Sequence, residues 1–340
     1  MYKKGISVFT GLSDYSLEDN IKYLHEAKRK GYEIVFSSAH INEATTSYDD
    51  LQTLIDEVDK LDMKLSLDIS KPTFEKLRLP DNLYALRLDY GFTENDIIEM
   101  SNKKPYMIEL NASVYKKERI HNLIYKGMNP RNIRVSFNYY PKLHTGHTIE
   151  FVKDMTAFYQ SLGMTVGAFL PSHIGFRPPM YEGLPTVEAH RKMDLALAIE
   201  EFKAANINEI LFGDAYASDE ELEILSNHQK DELMLQLELL DKTLYDSLNN
   251  IYSIRPDYND ELLRLSMSRK NDDIVPFNTV ERKIYDVTID NNGFLRYKGE
   301  INIIIKNLEK DDRVNVIGHL NVTPIVIDAI RNGRKFTFIK

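Results

Sequence analysis

The feature that most constrains the fold is a regular alternation of short aliphatic or β-branched runs with longer amphipathic stretches. Between the runs, apolar residues recur at helical spacing, as at Ile21, Leu24 and Ala27, where Ser16 is a suitable N-terminal cap. The runs themselves predict β-strands, because β-branched and aliphatic residues favour a buried, pleated surface. Eight such runs cover residues 5–9, 33–38, 64–69, 84–89, 106–111, 132–138, 164–170 and 209–214.

Eight strand–helix units predict an α/β fold, a (β/α)8 TIM barrel, whose usual size is roughly 250 residues. A doubly wound open sheet is the alternative. It does not require eight units, and no glycine-rich phosphate fingerprint follows the first strand. We therefore favour the barrel.

The pattern changes near residue 240, where long helical periodicity stops. Residues 275–307 indicate strands separated by turns, with a turn signal at Asp290–Gly293, and one short helix is expected near 323–331. We therefore expect a barrel domain at 1–240, which would carry catalysis, and a small, mostly β domain at 241–340.

Composition excludes several classes of function. The formal net charge of -9 argues against a nucleic-acid partner. The absence of cysteine excludes disulfides, thiolate catalysis and cysteine-ligated zinc. The first residues, MYKKGISVFTG, lack the apolar core of a secretory signal, and no apolar run is long enough to span a membrane. We expect a cytoplasmic protein with no membrane partner, and we expect neither a cofactor nor a metal.

Polar residues alternate with aliphatic residues at the ends of five predicted strands. The aliphatic side chains must face the surrounding helices, so the polar ones face the barrel interior. Because the active sites of TIM barrels lie at the carboxyl ends of the strands, these residues are candidates for function. The inward polar residues are Asp68, Arg87, Asp89, Glu109, Asn111, Ser136, Asn138 and Asp214. The loops after the sixth and seventh strands add Tyr139, Tyr140, His144, Arg177, Glu188, His190 and Arg191.

Several of these residues also have a purely structural interpretation. Arg87 and Asp89 are two positions apart and could form an ion pair that only stabilises the fold. Glu188 could occupy the first turn of a helix that begins at Thr186, where the helix dipole favours a carboxylate. Asp214 could cap the helix that follows it. Glu109 is harder to explain in this way, because an interior carboxylate is costly unless it is paired or used.

The residue types at the predicted barrel mouth restrict the chemistry. The sequence contains neither a G-x-S-x-G nor an H-E-x-x-H motif, and no lysine ends a strand on the interior side, which argues against a Schiff-base aldolase. Carboxylates, amides, tyrosines and arginines remain. Two carboxylates are the usual requirement for hydrolysis of a glycosidic bond, and arginines suit a phosphate or carboxylate on the substrate.

Five barrel motifs and the C-terminal part of the chain resemble one known family, MupG, and they do so in order along nearly the whole chain. This family combines an N-terminal TIM barrel with a C-terminal cyclophilin-like β domain, and the resemblance implies both for this chain. The barrel motifs are LRLDYGF (86–92), IELNAS (108–113), FNYYPKLHTG (137–146), GLPTVEAHR (183–191) and FGDAYAS (212–218). The C-terminal segments are NTVERKIYDVTIDNNGFLRYKGEI and RVNVIGHL.

The resemblance implies a glycosidase, 6-phospho-N-acetylmuramidase. It would hydrolyse 6-phospho-N-acetylmuramyl-N-acetylglucosamine to 6-phospho-N-acetylmuramic acid and N-acetylglucosamine during peptidoglycan recycling in the cytoplasm. On the motif positions, we expect the general acid to be Glu188, then Glu109, and the nucleophile or base to be Asp89, then Asp214. The acetamide of the substrate could replace an enzymatic nucleophile. The stereochemical outcome and the oligomeric state stay open.

Further residues are expected to bind the substrate. Those at the barrel mouth are Arg87, Asn111, Asn138, Tyr140, His144, His190 and Arg191. Those expected to hold the phosphate are in the second domain and are Arg269, Arg282 and Arg296. Arg296 and Lys298 could instead belong to the solvated face of a strand. Two other functions remain as alternatives, namely a phosphosugar isomerase or lyase on the same barrel and a non-enzymatic carbohydrate-binding protein.

Overall fold

The eight strands predicted in the first part of the chain pair in parallel and close into a barrel, as the sequence pattern predicts. The computed structural model describes residues 1–39, 48–80, 83–257, 259–266 and 273–340. The barrel strands are β1 (Lys3–Ser7), β2 (Ile34–Ser38), β3 (Lys64–Ile69), β4 (Ala85–Leu88), β5 (Met107–Asn111), β6 (Ile133–Ser136), β7 (Thr165–Leu170) and β8 (Glu209–Phe212).

Helices connect the strands and cover the outside of the barrel. Those of this part of the chain are α1 (Leu17–Arg29), α2 (Tyr48–Lys60), α3 (Lys71–Phe74), α4 (Glu94–Lys103), α5 (Lys117–Tyr125), α6 (Ile149–Ser161), α7 (Leu195–Ala204) and α8 (Asp219–Asn227). Local sequence sets several of their ends. Ser16 caps α1 in a reciprocal arrangement with Asp19, and Ser218 caps α8 with Glu221 in the same way. The strands are buried on both faces, which explains their aliphatic runs.

A second unit follows the barrel. The chain divides into Met1–Gln229 and Lys230–Lys340, so the segment 230–240, which we had assigned to the first domain, contributes β9 to the sheet of the second unit. This sheet has the order β10-β12-β11-β13-β9-β14, in which the β9–β14 pair is parallel and the other pairs are antiparallel. Its strands are β9 (Leu233–Leu239), β10 (Leu262–Arg264), β11 (Asp286–Asp290), β12 (Ile301–Ile304), β13 (Val314–Asn321) and β14 (Phe336–Ile339).

In the described part of this unit two helices accompany the sheet, α9 (Tyr245–Leu248) and α10 (Pro324–Arg331), and the second lies where the sequence predicts a short helix. The strand interpretation around Arg296 is wrong. Residues Asn292–Tyr297 form short 3₁₀ turns, because Asn291 caps the segment through the backbone N–H of Gly293. No helix in the described parts of the chain has the length and apolar character needed to cross a membrane.

Candidate active site at the barrel mouth

A line of alternating charges crosses the barrel interior and ends at its mouth. Arg134 on β6 donates to Glu109 on β5 through Nη1 and to Glu209 on β8 through Nη2. Nε of Arg87 on β4 lies 3.7 Å from Oε1 of Glu109, and its Nη1 lies 3.5 Å from Oδ1 of Asp68 on β3. Each charge in the line therefore has a neighbour of opposite sign, which offsets the cost of removing it from water.

The sequence provides both the space and the hydrogen bonds for this buried charge line. A Cβ atom at position 167 on β7 would lie 3.2 Å from Nη2 of Arg134, so Gly167 leaves room for the guanidinium. Hydroxyl groups of Ser66 and Ser136 donate to Glu109, whose side chain has no exposed surface. Glu109 is thus surrounded by donors one level below the mouth.

Asp68 lies at the mouth end of the line. Its side chain is 12% exposed, and its Oδ2 accepts a hydrogen bond of 3.0 Å from Ser38. Burial raises the pKa of Asp68, Arg87 opposes that rise, and the charge of Asp89 adds to it. A partly accessible carboxyl group with a raised pKa has the property that a general acid requires.

Asp89 follows the last residue of β4, near enough for its charge to act on Asp68. Arg87 is in register with Asp68 on one side and with Glu109 on the other, so Asp89 is two residues nearer the mouth than either pair. Its backbone N–H donates to the carbonyl of Ile69, and its side chain is exposed. The ion pairs of Arg87 are with Asp68 and Glu109, and no cation among the described residues pairs with the carboxylate of Asp89, so it can contact a ligand.

Amide groups complete the polar floor of the mouth. Oδ1 of Asn138 accepts hydrogen bonds from Nη2 of Arg87 and from Nδ2 of Asn111, the latter at 2.9 Å. Both asparagines are half-buried. Arg87, Asn111 and Asn138, which we predicted to bind substrate, are therefore joined in one hydrogen-bonded group.

An aromatic cluster lies next to the polar floor. Phe36 and Phe169 contact each other edge to face, with ring centroids 5.2 Å apart, and Tyr139 contacts Phe169 at the same distance. The guanidinium carbon of Arg177 lies 4.7 Å from the ring centroid of Phe9 and 5.4 Å from that of Tyr139. Tyr139 is half-buried and offers an apolar surface with a polar edge, which suits a sugar ring.

A cavity of about 380 Å³ adjoins this cluster. The loop after β1 forms most of its wall, through Thr10, Gly11 and Ser13, and Pro178 from the loop after β7 also contributes. Asp50 of α2 lies at the same cavity. Open space therefore exists between the loops that follow β1 and β7.

Glu188 connects the loop after β6 to the loop after β7 through hydrogen bonds. Its carboxylate accepts hydrogen bonds from Nε and Nη2 of Arg191, at 2.8 and 2.9 Å, and from the backbone N–H groups of His144 and Gly146. Arg191 also donates to four backbone carbonyls of the same loops. Arg191, followed by these backbone groups, lowers the pKa of Glu188 to about 2. A carboxylate that stays ionised is poorly suited to act as the general acid.

The Glu188 contacts predict a pH-dependent contribution to stability. Because the folded-state pKa is depressed, the contribution is complete above the ordinary pKa of glutamate and is lost as the pH falls toward about 2. We expect Glu188→Gln to lower the free energy of unfolding at pH 7. At pH 3 we expect a smaller gap in this free energy between the variant and the unmodified chain. Urea unfolding at both pH values measures this gap. A gap that is equal at both would contradict the assignment.

Asp214 organises the loop after β7. Its side chain has no exposed surface, and its oxygens accept the backbone N–H groups of Ser172 and Leu184, both at 2.9 Å, and of Arg177 at 3.3 Å. Burial raises the pKa of Asp214 to about 7, although the three backbone donors act to lower it. Helix α8 is capped by Ser218, so Asp214 is not a helix cap. Direct contact between Asp214 and a substrate would require this loop to move.

The other predicted binding residues of the two loops differ in exposure. His190 has no exposed surface, and its Nε2 is hydrogen-bonded to Glu201 at 2.8 Å. His144 is exposed. Tyr140 is half-buried, and its hydroxyl group is hydrogen-bonded to Nε2 of His147 at 2.8 Å. Of this group, Tyr140 and His144 are accessible to a ligand, whereas His190 is part of the packed interior.

The arginines predicted to bind phosphate lie in the second unit. Arg269 lies outside the described residues. Arg282 donates through Nε and Nη2 to the carbonyl of Glu309, and Arg296 donates to the hydroxyl group of Tyr297. A cavity of about 440 Å³ in this unit is lined mainly by aliphatic side chains, and neither Arg282 nor Arg296 lines it. Their predicted role in phosphate binding stays a prediction.

Two residues of the mouth were candidates in the sequence but received neither a catalytic nor a binding role there. Asp68 ends β3 with an inward side chain, so the alternation that identified Arg87 also pointed to it. Arg177 lies in a long loop, and no sequence signal indicated that its guanidinium lies on the aromatic cluster. In the described parts of the chain, no group of three or more His, Asp or Glu side chains could hold a metal ion.

Two solved structures resemble this chain over its full length. An uncharacterized B. cereus protein is 26% identical, with a TM-score of 0.88 and 100% coverage of both chains. A conserved protein from an Enterococcus faecalis locus, described as of unknown function, is also 26% identical, with a TM-score of 0.71 and coverage of 99% of this chain and 96% of that one. No curated protein gives a significant match.

Two family models match the chain one after the other. The model described as 6-phospho-N-acetylmuramidase, N-terminal, matches residues 4–227, which contain the barrel. The model described as 6-phospho-N-acetylmuramidase, C-terminal, matches residues 232–339, which contain the six-stranded sheet. Because the two matches together cover nearly all of both units, the chain belongs to the MupG family.

Proposed function

We propose that this chain is a glycoside hydrolase that cleaves 6-phospho-N-acetylmuramyl-N-acetylglucosamine to 6-phospho-N-acetylmuramic acid and N-acetylglucosamine. The observation that carries the proposal is the pair of carboxylates at the barrel mouth. Asp68 is mostly buried with a raised pKa, and Asp89 is exposed just beyond the end of β4, where its charge acts on Asp68. Two carboxyl groups in different environments are what glycoside hydrolysis requires.

The roles follow from the two environments. Asp68 keeps its proton to a higher pH than an ordinary aspartate, so in this proposal it protonates the glycosidic oxygen as the C1–O bond breaks. Asp89, on the open side of the mouth, acts either as the nucleophile that attacks C1 or as the base that activates water. In the first case water hydrolyses the glycosyl ester, with ionised Asp68 as the base. In both cases one water molecule is consumed per bond broken.

Other groups of the mouth have supporting roles in this proposal. Arg87, Asn111 and Asn138 bind hydroxyl or acetamide groups of the sugar, and Tyr139 packs against its ring. Glu109 and Asp214 have no exposed surface, so we assign them to positioning. Glu109 holds Arg87, and Asp214 holds the loop after β7. Glu188 and Arg191 keep the loops after β6 and β7 together.

The biological setting of the proposal follows from the family to which the chain belongs. The substrate would arise in the cytoplasm from imported cell-wall fragments, and its hydrolysis would serve peptidoglycan recycling. The second unit would have the cyclophilin-like fold that we expected from the sequence. Fractionation of cells that carry an epitope-tagged copy of the chain tests the location.

The decisive experiment is incubation of the purified chain with the phosphorylated disaccharide and with its unphosphorylated form, followed by mass spectrometry. We expect the phosphorylated compound to split with uptake of one water molecule, and the other to react much more slowly. Proton NMR of the first product then gives the configuration at C1, which separates a nucleophilic from a basic role of Asp89. If both compounds stay intact, or if one is isomerised or eliminated without uptake of water, the hydrolase proposal fails.

A further inference from the structure

We propose that Arg177 binds an oxyanion of the substrate, a phosphate or a carboxylate, at the barrel mouth. The inference rests on the proposed function for the identity of the substrate. It differs from the sequence-based expectation, which assigned the phosphate to arginines of the second unit.

The first argument is the state of the buried arginines. Among the described residues of the barrel unit four arginines are buried, namely Arg87, Arg134, Arg177 and Arg191. Arg87 and Arg134 belong to the interior charge line, and Arg191 pairs with Glu188. Within the described parts of the chain, Arg177 is the one member of this set that has no carboxylate within ion-pair distance of its guanidinium. A buried charge without a partner is costly, so such a side chain is expected where a ligand supplies the partner.

The second argument is the set of hydrogen bonds that Arg177 makes. Its Nε donates to the carbonyl of Pro178 at 3.3 Å, and its Nη1 donates to the hydroxyl group of Tyr139 at 3.2 Å. No acceptor among the described residues is bonded to Nη2. The carboxylate of Asp214 is close by, but it accepts the backbone N–H of Arg177 rather than a guanidinium N–H. The guanidinium therefore has unused N–H donors that can bind an anion.

The third argument is that the guanidinium is fixed before any ligand arrives. It lies on the rings of Phe9 and Tyr139, and only 7% of the residue is exposed. Stacking on aromatic rings attracts the cation without neutralising its charge. A planar guanidinium held in this way loses little freedom when it binds the two oxygens of a phosphate or carboxylate.

The substrate offers two possible anions, the 6-phosphate and the carboxylate of the lactyl ether. Three disaccharides separate them: the full substrate, the form without phosphate, and 6-phospho-N-acetylglucosaminyl-N-acetylglucosamine, which keeps the phosphate but has no lactyl group. For Arg177→Gln we expect kcat/KM on the full substrate to fall about 100-fold, as is typical when one partner of a buried charged contact is removed. One of the other two disaccharides lacks the anion that Arg177 binds, and on that compound we expect Arg177→Gln to leave kcat/KM almost unchanged. The identity of this compound shows which anion Arg177 binds.

Two further variants keep the result interpretable. Arg177→Lys keeps the charge but not the planar fork, and we expect it to recover part of the loss. Arg131→Gln changes an exposed arginine that precedes β6 at the opposite end of the barrel, and we expect no change. An equal loss on all three disaccharides would show that Arg177 only shapes the loop. Unchanged kinetics for Arg177→Gln would show that it touches no substrate anion. Either result overturns the inference.

A binding measurement separates this inference from the proposed hydrolysis. Calorimetry with 6-phospho-N-acetylmuramic acid, and with the same sugar lacking either the phosphate or the lactyl group, requires no turnover. We expect Arg177→Gln to weaken binding of the two sugars that carry the recognised anion, and to leave the third unchanged. If the unmodified chain hydrolyses nothing but shows this pattern, the hydrolase proposal fails and the anion site stands. If it hydrolyses the disaccharide and Arg177→Gln binds all three sugars normally, only the anion site fails.

Discussion

Replacement of Asp68 by asparagine is expected to lower kcat for the phosphorylated disaccharide by about 10²–10⁴-fold, the usual contribution of a general acid. The side chain keeps its size. Its remaining Oδ1 can still accept from Arg87, and its Nδ2 can donate to the hydroxyl group of Ser38, so the expected loss comes from the missing proton. The measurement is kcat at the pH optimum. Asp62→Asn is a matched control, because Asp62 is an exposed residue just before β3 at the opposite end of the barrel.

The nature of the leaving group distinguishes an acid from a residue that only supports the fold. A 4-nitrophenyl glycoside of 6-phospho-N-acetylmuramic acid leaves as a stable phenolate and needs little protonation. For any step that breaks the C1–O bond, Asp68→Asn should therefore lower the rate with this compound much less than the rate with the disaccharide. A loss of the same size on both compounds would contradict the role of Asp68 as the acid.

The pH dependence of the reaction has a definite sign. Burial raises the pKa of Asp68 in the free protein, and an acid must be protonated to act, so kcat/KM should fall as the pH rises through that raised pKa. The alkaline limb should thus lie above the range of an ordinary aspartate and disappear in Asp68→Asn. An unchanged alkaline limb in the variant would assign it to another group.

The barrel could be predicted because each strand is marked by its own residues. Parallel barrel strands are buried on both faces, and the resulting aliphatic runs are visible without any tertiary information. The alternation within β4 also placed Arg87 correctly in the interior, since side chains along a strand point to alternate sides. Both features, the aliphatic runs and the alternation of side chains, depend only on residues that are neighbours in the sequence.

The level of each residue within the barrel could not be predicted in the same way. Glu109 and Asp68 both point inward, yet one has no exposed surface and the other reaches the mouth. The difference depends on strand register, which sets Asp68, Arg87 and Glu109 side by side, and on Arg134 from another strand. Alternation gives the side of a strand but not the partners across the barrel.

The loops were the least predictable part of the site. Glu188 and Arg191 lie in a motif that suggested catalysis and substrate binding, but they bind each other and the backbone of two loops. Arg177 was one polar residue among many in a long connection. Its position depends on contacts with Phe9 and Tyr139 from distant parts of the chain. Loop conformation is set by such tertiary contacts rather than by local sequence.

Replacement of Arg134 by methionine should have the largest effect on stability. It leaves the carboxylates of Glu109 and Glu209 buried without the cation that both contact, and neither has any exposed surface. Breaking a buried charge network by removal of one partner typically costs about 3–5 kcal/mol. The free energy of opening, measured by hydrogen exchange of the β5 and β6 amide groups, should fall by an amount of this order.

A triple variant separates the charge effect from the loss of packing. Arg134→Met combined with Glu109→Gln and Glu209→Gln removes the whole charge group, so the carboxylates no longer need a partner. We expect it to recover much of the stability lost in Arg134→Met, since a buried charge group is often replaceable as a unit. Its turnover should stay low, because Arg87 loses the charge of Glu109 and holds Asp68 less firmly. If the triple variant is as unstable as Arg134→Met, the guanidinium stabilises the barrel by filling space, and the charges have only a secondary effect.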